Sequence, residues 1–230
     1  MSRKVERGRV VGRQQGRPAV AVVVDGKDEK WYLAQAKEYY CGQKPALRSV
    51  KLKPEMPQDK KVQELFEYAK GKLKEEYTHV VLVMDFDGPL NKPAEFEQFK
   101  KYCKYYLLAK DNNLKSSEKK VYGWMENLTL IINNPCLEYW FLLHFAKGNV
   151  TKFYPAYRPE LEHDVKALPG FDQYDKKEKY YNDNPDIFLR LGGLEGLQHA
   201  RSFTQIFRLD TCQSQGVSEM GMLFDFFDKL

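Results

Sequence analysis

The chain has 230 residues, of which 43% are hydrophobic, 14% aromatic and 30% charged. That is the composition of an ordinary globular protein and excludes a disordered chain. At this length about 70% of the unfolded surface can be buried, so neither disulfides nor a structural metal is needed to fold. The longest clean apolar run, Ala19–Val24, falls far short of the roughly 20 residues of a membrane span, so no membrane association is expected. Cys41, Cys103, Cys136 and Cys212 are scattered without a CxxC pair, which argues against a zinc knuckle and fits reduced cytosolic thiols. No apolar stretch of signal-peptide length follows the basic start, and a cytoplasmic location is expected.

The net charge of +5 is localised. Arg3, Lys4, Arg7, Arg9, Arg13 and Arg17 stand against the single acid Glu6, so residues 1–18 carry the whole excess and the rest is balanced. This segment reads as a basic arm, either a solubilising tail or a contact for nucleic-acid phosphates.

Past the arm, strand and helix signals alternate. Ala19–Val24 is a continuous β-branched run, as in a strand buried on both faces. Asp28–Tyr40 reads as a helix, and Leu47–Leu52 as a short second strand. Gln58–Glu76 is amphipathic, with Val62, Leu65, Phe66, Ala69 and Leu73 in one stripe. Val80–Met84 is a third strand, and Pro93 opens a helix through Phe96, Phe99, Tyr102, Cys103 and Leu107. Leu128–Ile132 is a fourth strand, and a helix runs from Cys136 to about Phe145. Alternation of this kind predicts an α/β fold with a largely parallel sheet and helices on both faces. After Gly148 the texture changes to Tyr, Lys, Asp and Pro over Tyr154–Lys179. A helix-like segment around Leu194–Phe207 and an apolar stretch, Met220–Phe227, then follow. The expected organisation is an arm (1–18), an α/β domain (19–150) and a helical C-terminal extension of the same domain (151–230).

In an open α/β sheet, chemistry gathers beyond the carboxyl ends of the strands. Strand one leads into Asp25-Gly26-Lys27-Asp28-Glu29 and strand three into Asp85-Phe86-Asp87. Strand four leads through Asn133-Asn134-Pro135 to Glu138 in the first turn of a helix. Asp85 and Asp87, two apart in extended backbone, point to one side. Paired carboxylates repel unless a cation intervenes, and hard oxygen ligands select Mg²⁺ or Mn²⁺. Several carboxylates at three strand ends suit one- or two-metal phosphoryl chemistry, with Asp25, Glu29, Asp85, Asp87 and Glu138 as catalytic and metal-ligating candidates. Lys27 is a candidate phosphate contact. His144, on an aromatic helix, reads as a packed, hydrogen-bonded side chain, and Trp31 and Trp140 read as core.

The string VMDFDGPL (83–90) also looks like the first motif of haloacid-dehalogenase-type phosphatases, with Asp85 as nucleophile and Asp87 as acid/base. That motif has Thr where this chain has Pro89. It also needs a later strand ending in Ser or Thr, whereas strand four ends in Asn133-Asn134.

Three strings carry a closer resemblance: DGKDEKWYL (25–33), VMDFD (83–87) and INNPCLEYWFLLHF (132–145). Together they resemble the RloB-like family of the TOPRIM superfamily over roughly residues 19–227. The same pattern continues with a Tyr-x-Lys, here Tyr174-Asp175-Lys176, and a helical tail around Leu197–Arg201. The resemblance implies a TOPRIM-like fold and a metal-dependent nuclease acting on DNA or RNA, tRNA among them. It also implies anti-phage defence beside an ABC/AAA-type ATPase partner. It places the glycine-motif acids on Asp25 and Glu29, the metal pair on Asp85 and Asp87, and the helix acid on Glu138. Tyr174 and Lys176 become phosphate contacts if the tail folds back over the sheet. One position departs from the family. Asp25 stands where the superfamily has Glu, about 1.5 Å shorter by one carbon–carbon bond. That departure leaves a non-catalytic regulatory or binding subunit as the alternative.

Overall fold

The structure, a computed structural model, describes residues 19–43, 50–53, 61–75, 77–148 and 150–230. The arm predicted over 1–18, and residues 47–49, 58–60 and 76 of the predicted second strand and second helix, lie outside the described residues.

Strand β1 (Val20–Val24) is followed by helix α1 (Lys27–Gln43), β2 (Lys51–Lys53), α2 (Val62–Lys74) and β3 (His79–Asp85). A short helix α3 (Asp87–Asn91) and the long α4 (Pro93–Lys110) come next, Pro93 standing in the first turn as predicted. Helix α5 (Ser116–Tyr122) and a 3₁₀ turn lead into β4 (Leu128–Asn134) and α6 (Leu137–Leu143). The remainder holds α7 (Glu162–Lys166), α8 (Glu178–Asp183), α9 (Ile187–Arg190), α10 (Gly193–Arg201), the two-residue β5 (Val217–Ser218) and α11 (Met220–Asp228).

The sheet order is β2-β1-β3-β4-β5, parallel throughout except for β5 against β4. This is the α/β, mostly parallel arrangement with a helical C-terminus that the strand–helix alternation and the resemblance predict. Its strands are buried on both faces, so each supplies two cores by alternation. On one face, Val20, Val22, Val24, Val81, Val83 and Ile131 pack with α1, α6 and the C-terminal segment, including Phe171, Phe188, Leu197 and Phe224. On the other, Ala21, Val23, Val80, Leu82, Met84, Leu128, Leu130 and Ile132 meet Leu65, Phe66, Phe99 and Tyr102 of α2 and α4. Residues beyond 150 thus complete the core over the first face.

One helix is shorter than its pattern. The predicted segment Leu194–Phe207 is helical only to Arg201. Ser202 and Phe203 bond back three residues, to His199 and Ala200, which tightens and ends the last turn. The chain then crosses to the opposite face, where Phe207 packs edge-on against Phe86 at 4.7 Å and Phe99 at 5.7 Å. That destination is incompatible with a continuous helix.

Candidate active site

The register aligns the carboxyl ends of three parallel strands. Val24 of β1 pairs with Val83, and Asp85, the last residue of β3, pairs with Asn133 of β4. Helices α1, α3 and α6 begin just beyond these ends, so their N-termini and first-turn acids gather at one edge. Glu29 is the third residue of α1, Asp87 the first of α3 and Glu138 the second of α6. The turn after β3 is fixed by backbone bonds: Phe86 N–H donates to Asn133 O and Pro135 O, and Asp87 N–H to Pro135 O at 3.0 Å. Asp25 N–H donates to Val83 O at 3.1 Å, tying the β1 turn to the neighbouring strand.

A cleft of about 760 Å³ opens at this edge. Asp25, Asp28, Glu29, Asp85 and Asp87 line it, with Trp31 on one wall and Lys27, Lys61, Lys92, Lys176 and Lys177 around it. Trp31, expected in the core, packs against the core and also faces this cleft, its ring 4.5 Å from Tyr181. Trp140 is fully buried as expected. Lys27 is exposed and reaches Glu178 at 3.4 Å across the cleft mouth.

Glu29 is only 1% exposed. Its Oε2 and the Oδ1 of Asp85 are buried without a hydrogen-bond partner among the described residues. Burying polar atoms without partners costs about 1–3 kcal/mol each, more for charged groups, so these oxygens mark a place that lacks something. Burial pushes the Asp85 carboxyl well up, and neighbouring Glu29 pushes it further. Burial likewise raises Glu29 and Asp87, against the pull of Lys176 on both. Asp28 is driven up to about 8 by burial and by the charges of Glu138 and Glu29. Carboxyls displaced in this direction favour the neutral form, and a bound cation would favour the ionised one.

The segment after Phe171 folds back over the sheet. Lys176 Nζ lies 3.0 Å from Glu138 Oε2 and 3.6 Å from Asp28 Oδ2, and 4.8 Å above the Tyr157 ring. Its desolvation is outweighed by Glu138, Cys136, Asp85 and Asp28, which hold its pKa well above the usual value. Tyr174 is fully buried and donates to Glu138 Oε1 at 2.7 Å, with Tyr181 2.7 Å from the same hydroxyl. Tyr174 therefore supports Glu138 and does not face the cleft, contrary to the phosphate contact expected of it. Glu138 is 0% exposed, both oxygens engaged, and sits behind the cleft wall. Sequence reasoning missed Tyr157 and Tyr181, because the Tyr-rich stretch has no periodicity to say which rings turn inward.

Strand four also departs from the phosphatase pattern in the structure. Asn133 Oδ1 accepts from Ser218 Oγ at 2.7 Å, and Asn134 Nδ2 donates to Cys212 O and Gln215 O. The two side chains tie β4 to β5 and its preceding loop, where that mechanism needs a hydroxyl facing the phosphate. His144 is packed and bonded as predicted, its Nδ1 2.8 Å from Leu191 O.

Over residues 20–224 the sequence matches the family described as RloB-like protein. The chain belongs to the RloB-like family. No curated protein and no solved structure matches it. A divalent metal at these acids is the expectation that the sequence resemblance carries. Among the described residues, no three Asp, Glu, His or Cys side chains are disposed to hold a metal ion as they stand. The donor chemistry fits nevertheless: the oxygens are hard, anionic and clustered, and two of them are buried and unpartnered. No helix among the described residues is long and apolar enough to cross a membrane.

Proposed function

We propose that this RloB-like protein is a divalent-metal-dependent nuclease that hydrolyses phosphodiesters of DNA or RNA, with tRNA among its candidate substrates. The observation that carries the reading is the pair of buried, unpartnered carboxylate oxygens of Glu29 and Asp85, at the strand ends of an open cleft. Glu29, Asp85 and Asp87 would hold Mg²⁺ or Mn²⁺. When bound, such an ion supplies Lewis-acid polarisation of a phosphoryl oxygen. Asp25, which lines the cleft on the turn after β1, would take or return a proton there. Lys61 and Lys92 on one side, and Lys27 and Lys177 on the other, would meet backbone phosphates of a strand laid across the cleft. Family membership further supports an ABC/AAA-type ATPase partner, a role in anti-phage defence and a cytoplasmic location.

The deciding experiment incubates the purified protein with Mg²⁺ or Mn²⁺ against tRNA, single-stranded DNA and plasmid. Metal-dependent cleavage lost in Asp85→Asn is expected. Cleavage that persists in Asp85→Asn is contamination. Binding without cleavage in any metal would replace the nuclease with a regulatory subunit.

A further inference from the structure

We propose that Lys176 takes the place of a second cation in this cleft, so that the protein binds one divalent ion through Glu29, Asp85 and Asp87. The inference rests on the metal-dependent reading above and deepens it.

The acids divide into two sets by what already satisfies them. Glu138 is the best satisfied: Oε1 accepts from Tyr174 at 2.7 Å and Oε2 from Lys176 at 3.0 Å. Tyr174 is itself held by Tyr181, whose ring packs on Trp31, so this support is anchored in the core. The ammonium of Lys176 is held between Glu138, Asp28 and the Tyr157 ring, its side chain 26% exposed. Glu29 and Asp85 form the opposite set, each with an oxygen buried and unpartnered.

Two-metal phosphoryl sites place their ions about 3.5–4 Å apart between shared carboxylates. Here a fixed positive charge is already in direct contact with Glu138 and Asp28, and it also acts on Glu29, Asp85 and Asp87. For a second divalent ion to bind there, Lys176 would have to leave, and Glu138 would have to exchange both of its bonds while fully buried. Exchanging the ammonium for an ion would cost Glu138 both of its bonds inside a buried site, so the ammonium is retained and the ion goes to the unsatisfied set. Lys176 is in this account a positioning residue, which fixes Glu138 and caps the number of ions.

The test is a Mn²⁺ titration of the purified full chain followed by electron paramagnetic resonance, with circular dichroism confirming fold. The expected result is one bound ion per chain in the parent and in Lys176→Arg. One ion is also expected in Glu138→Gln, whose amide oxygen can still accept from Lys176 or Tyr174. Lys176→Met should admit a second, weaker ion. Two ions in the parent, loss of the ion in Glu138→Gln, or a folded Lys176→Met that still binds only one would each overturn this inference and leave the nuclease reading standing. No ion in the parent would overturn both. If Lys176→Met does not fold, the stoichiometries of the parent and of Glu138→Gln decide the matter alone.

Discussion

Lys176 and Glu138 meet at 3.0 Å, joining a lysine from the aperiodic stretch after α7 to a wholly buried glutamate in the first turn of α6. The pair binds the C-terminal segment to the edge of the sheet where the other acids collect. Removing the lysine leaves the buried Glu138 carboxyl without its cation and supported only by Tyr174. Lys176→Met should therefore lose about 3–5 kcal/mol of unfolding free energy, the usual cost of breaking a buried ion pair from one side. Adding Glu138→Gln to that variant should recover most of the loss, because no buried charge is then stranded. Denaturant unfolding of the two singles and the double measures the coupling. An additive cycle would mean that the contact carries no energy.

Asp85 should govern the response to metal. Its carboxyl is pushed well up by burial and by Glu29, so its ionised form works against folding in the absence of a cation. Mn²⁺ or Mg²⁺ should raise the melting temperature of the parent, because the ion binds the folded state. Asp85→Asn should abolish that rise while leaving the metal-free protein as stable as before or more so. A full metal-induced shift in Asp85→Asn would remove Asp85 from the ligand set.

Two buried groups remote from the cleft give opposite pH dependences. His144 donates from Nδ1 to Leu191 O, and its Nε2 is buried with no acceptor, so burial lowers its pKa from 6.5 to about 4. Between these values the unfolded chain takes up a proton that the fold refuses, so its contribution to stability is lost as pH falls from 6.5 towards 4. Glu219 accepts from Ile132 N–H and Phe207 N–H, yet burial still raises it from 4.5 to about 7. There the fold keeps a proton that the unfolded chain releases, and stability declines as pH rises from 4.5 towards 7. A pKa that differs by one between the folded and unfolded chain is worth about 1.4 kcal/mol. Relative to the parent, His144→Gln should gain roughly 3 kcal/mol between pH 6.5 and 4, and Glu219→Gln a similar amount between pH 4.5 and 7. Unfolding free energies at several pH values check both, and parallel curves for parent and variant would refute the assignment.

How much of this was legible in the sequence depends on how local the signal is. Asp25, Asp85 and Asp87 could be placed because β-branched runs mark buried parallel strands, and such strands deliver the residues at their carboxyl ends to one edge. Glu138 was found by the same logic one helical turn later. The residues gathered around it could not be found that way: Tyr174 and Lys176, which bond it, and Tyr181 and Tyr157, which support those two, converge through tertiary packing in a stretch with no period of 2 or 3.6. The two residues of β5 are too few to leave a pattern, and nothing local marks Glu219 beside them as the acceptor of Ile132 N–H and Phe207 N–H. Helix α10 ends at Arg201 because Phe207 is required on the far side of the sheet, and apolar spacing alone cannot report that.

The rim lysines should carry the contact with nucleic acid. On duplex DNA, log affinity falls by about 0.9 per tenfold rise in salt for each neutralised phosphate, and by about 0.7 on single strands. Lys61→Gln and Lys92→Gln should each weaken binding to every sequence alike and reduce that slope by about one contact. Fluorescence anisotropy at several salt concentrations measures it. An unchanged slope in both variants would move the substrate off this side of the cleft.

Gly26 leaves room for the Glu29 carboxyl in the β1 turn. A Cβ added at Gly26 would lie 2.5 Å from Glu29 Oε2 and 3.5 Å from its Cδ. The oxygen it meets has no donor facing it and ends a flexible side chain, so the carboxyl can give way to the new methyl. Gly26→Ala should therefore move the Glu29 carboxyl and leave α1, which begins at Lys27, intact. The metal-free protein is expected to lose no more than about 1 kcal/mol, the centre of the distribution for single substitutions. Its stabilisation by Mn²⁺ should fall by at least half, because one of three proposed ligands is displaced. In a Glu29→Gln background the same alanine should add almost nothing further, since the two changes then act on one lost ligand. Calorimetric melting of the four proteins with and without Mn²⁺ separates these cases. An undiminished Mn²⁺ shift in Gly26→Ala would show that Glu29, however buried and unpartnered, does not ligate the ion.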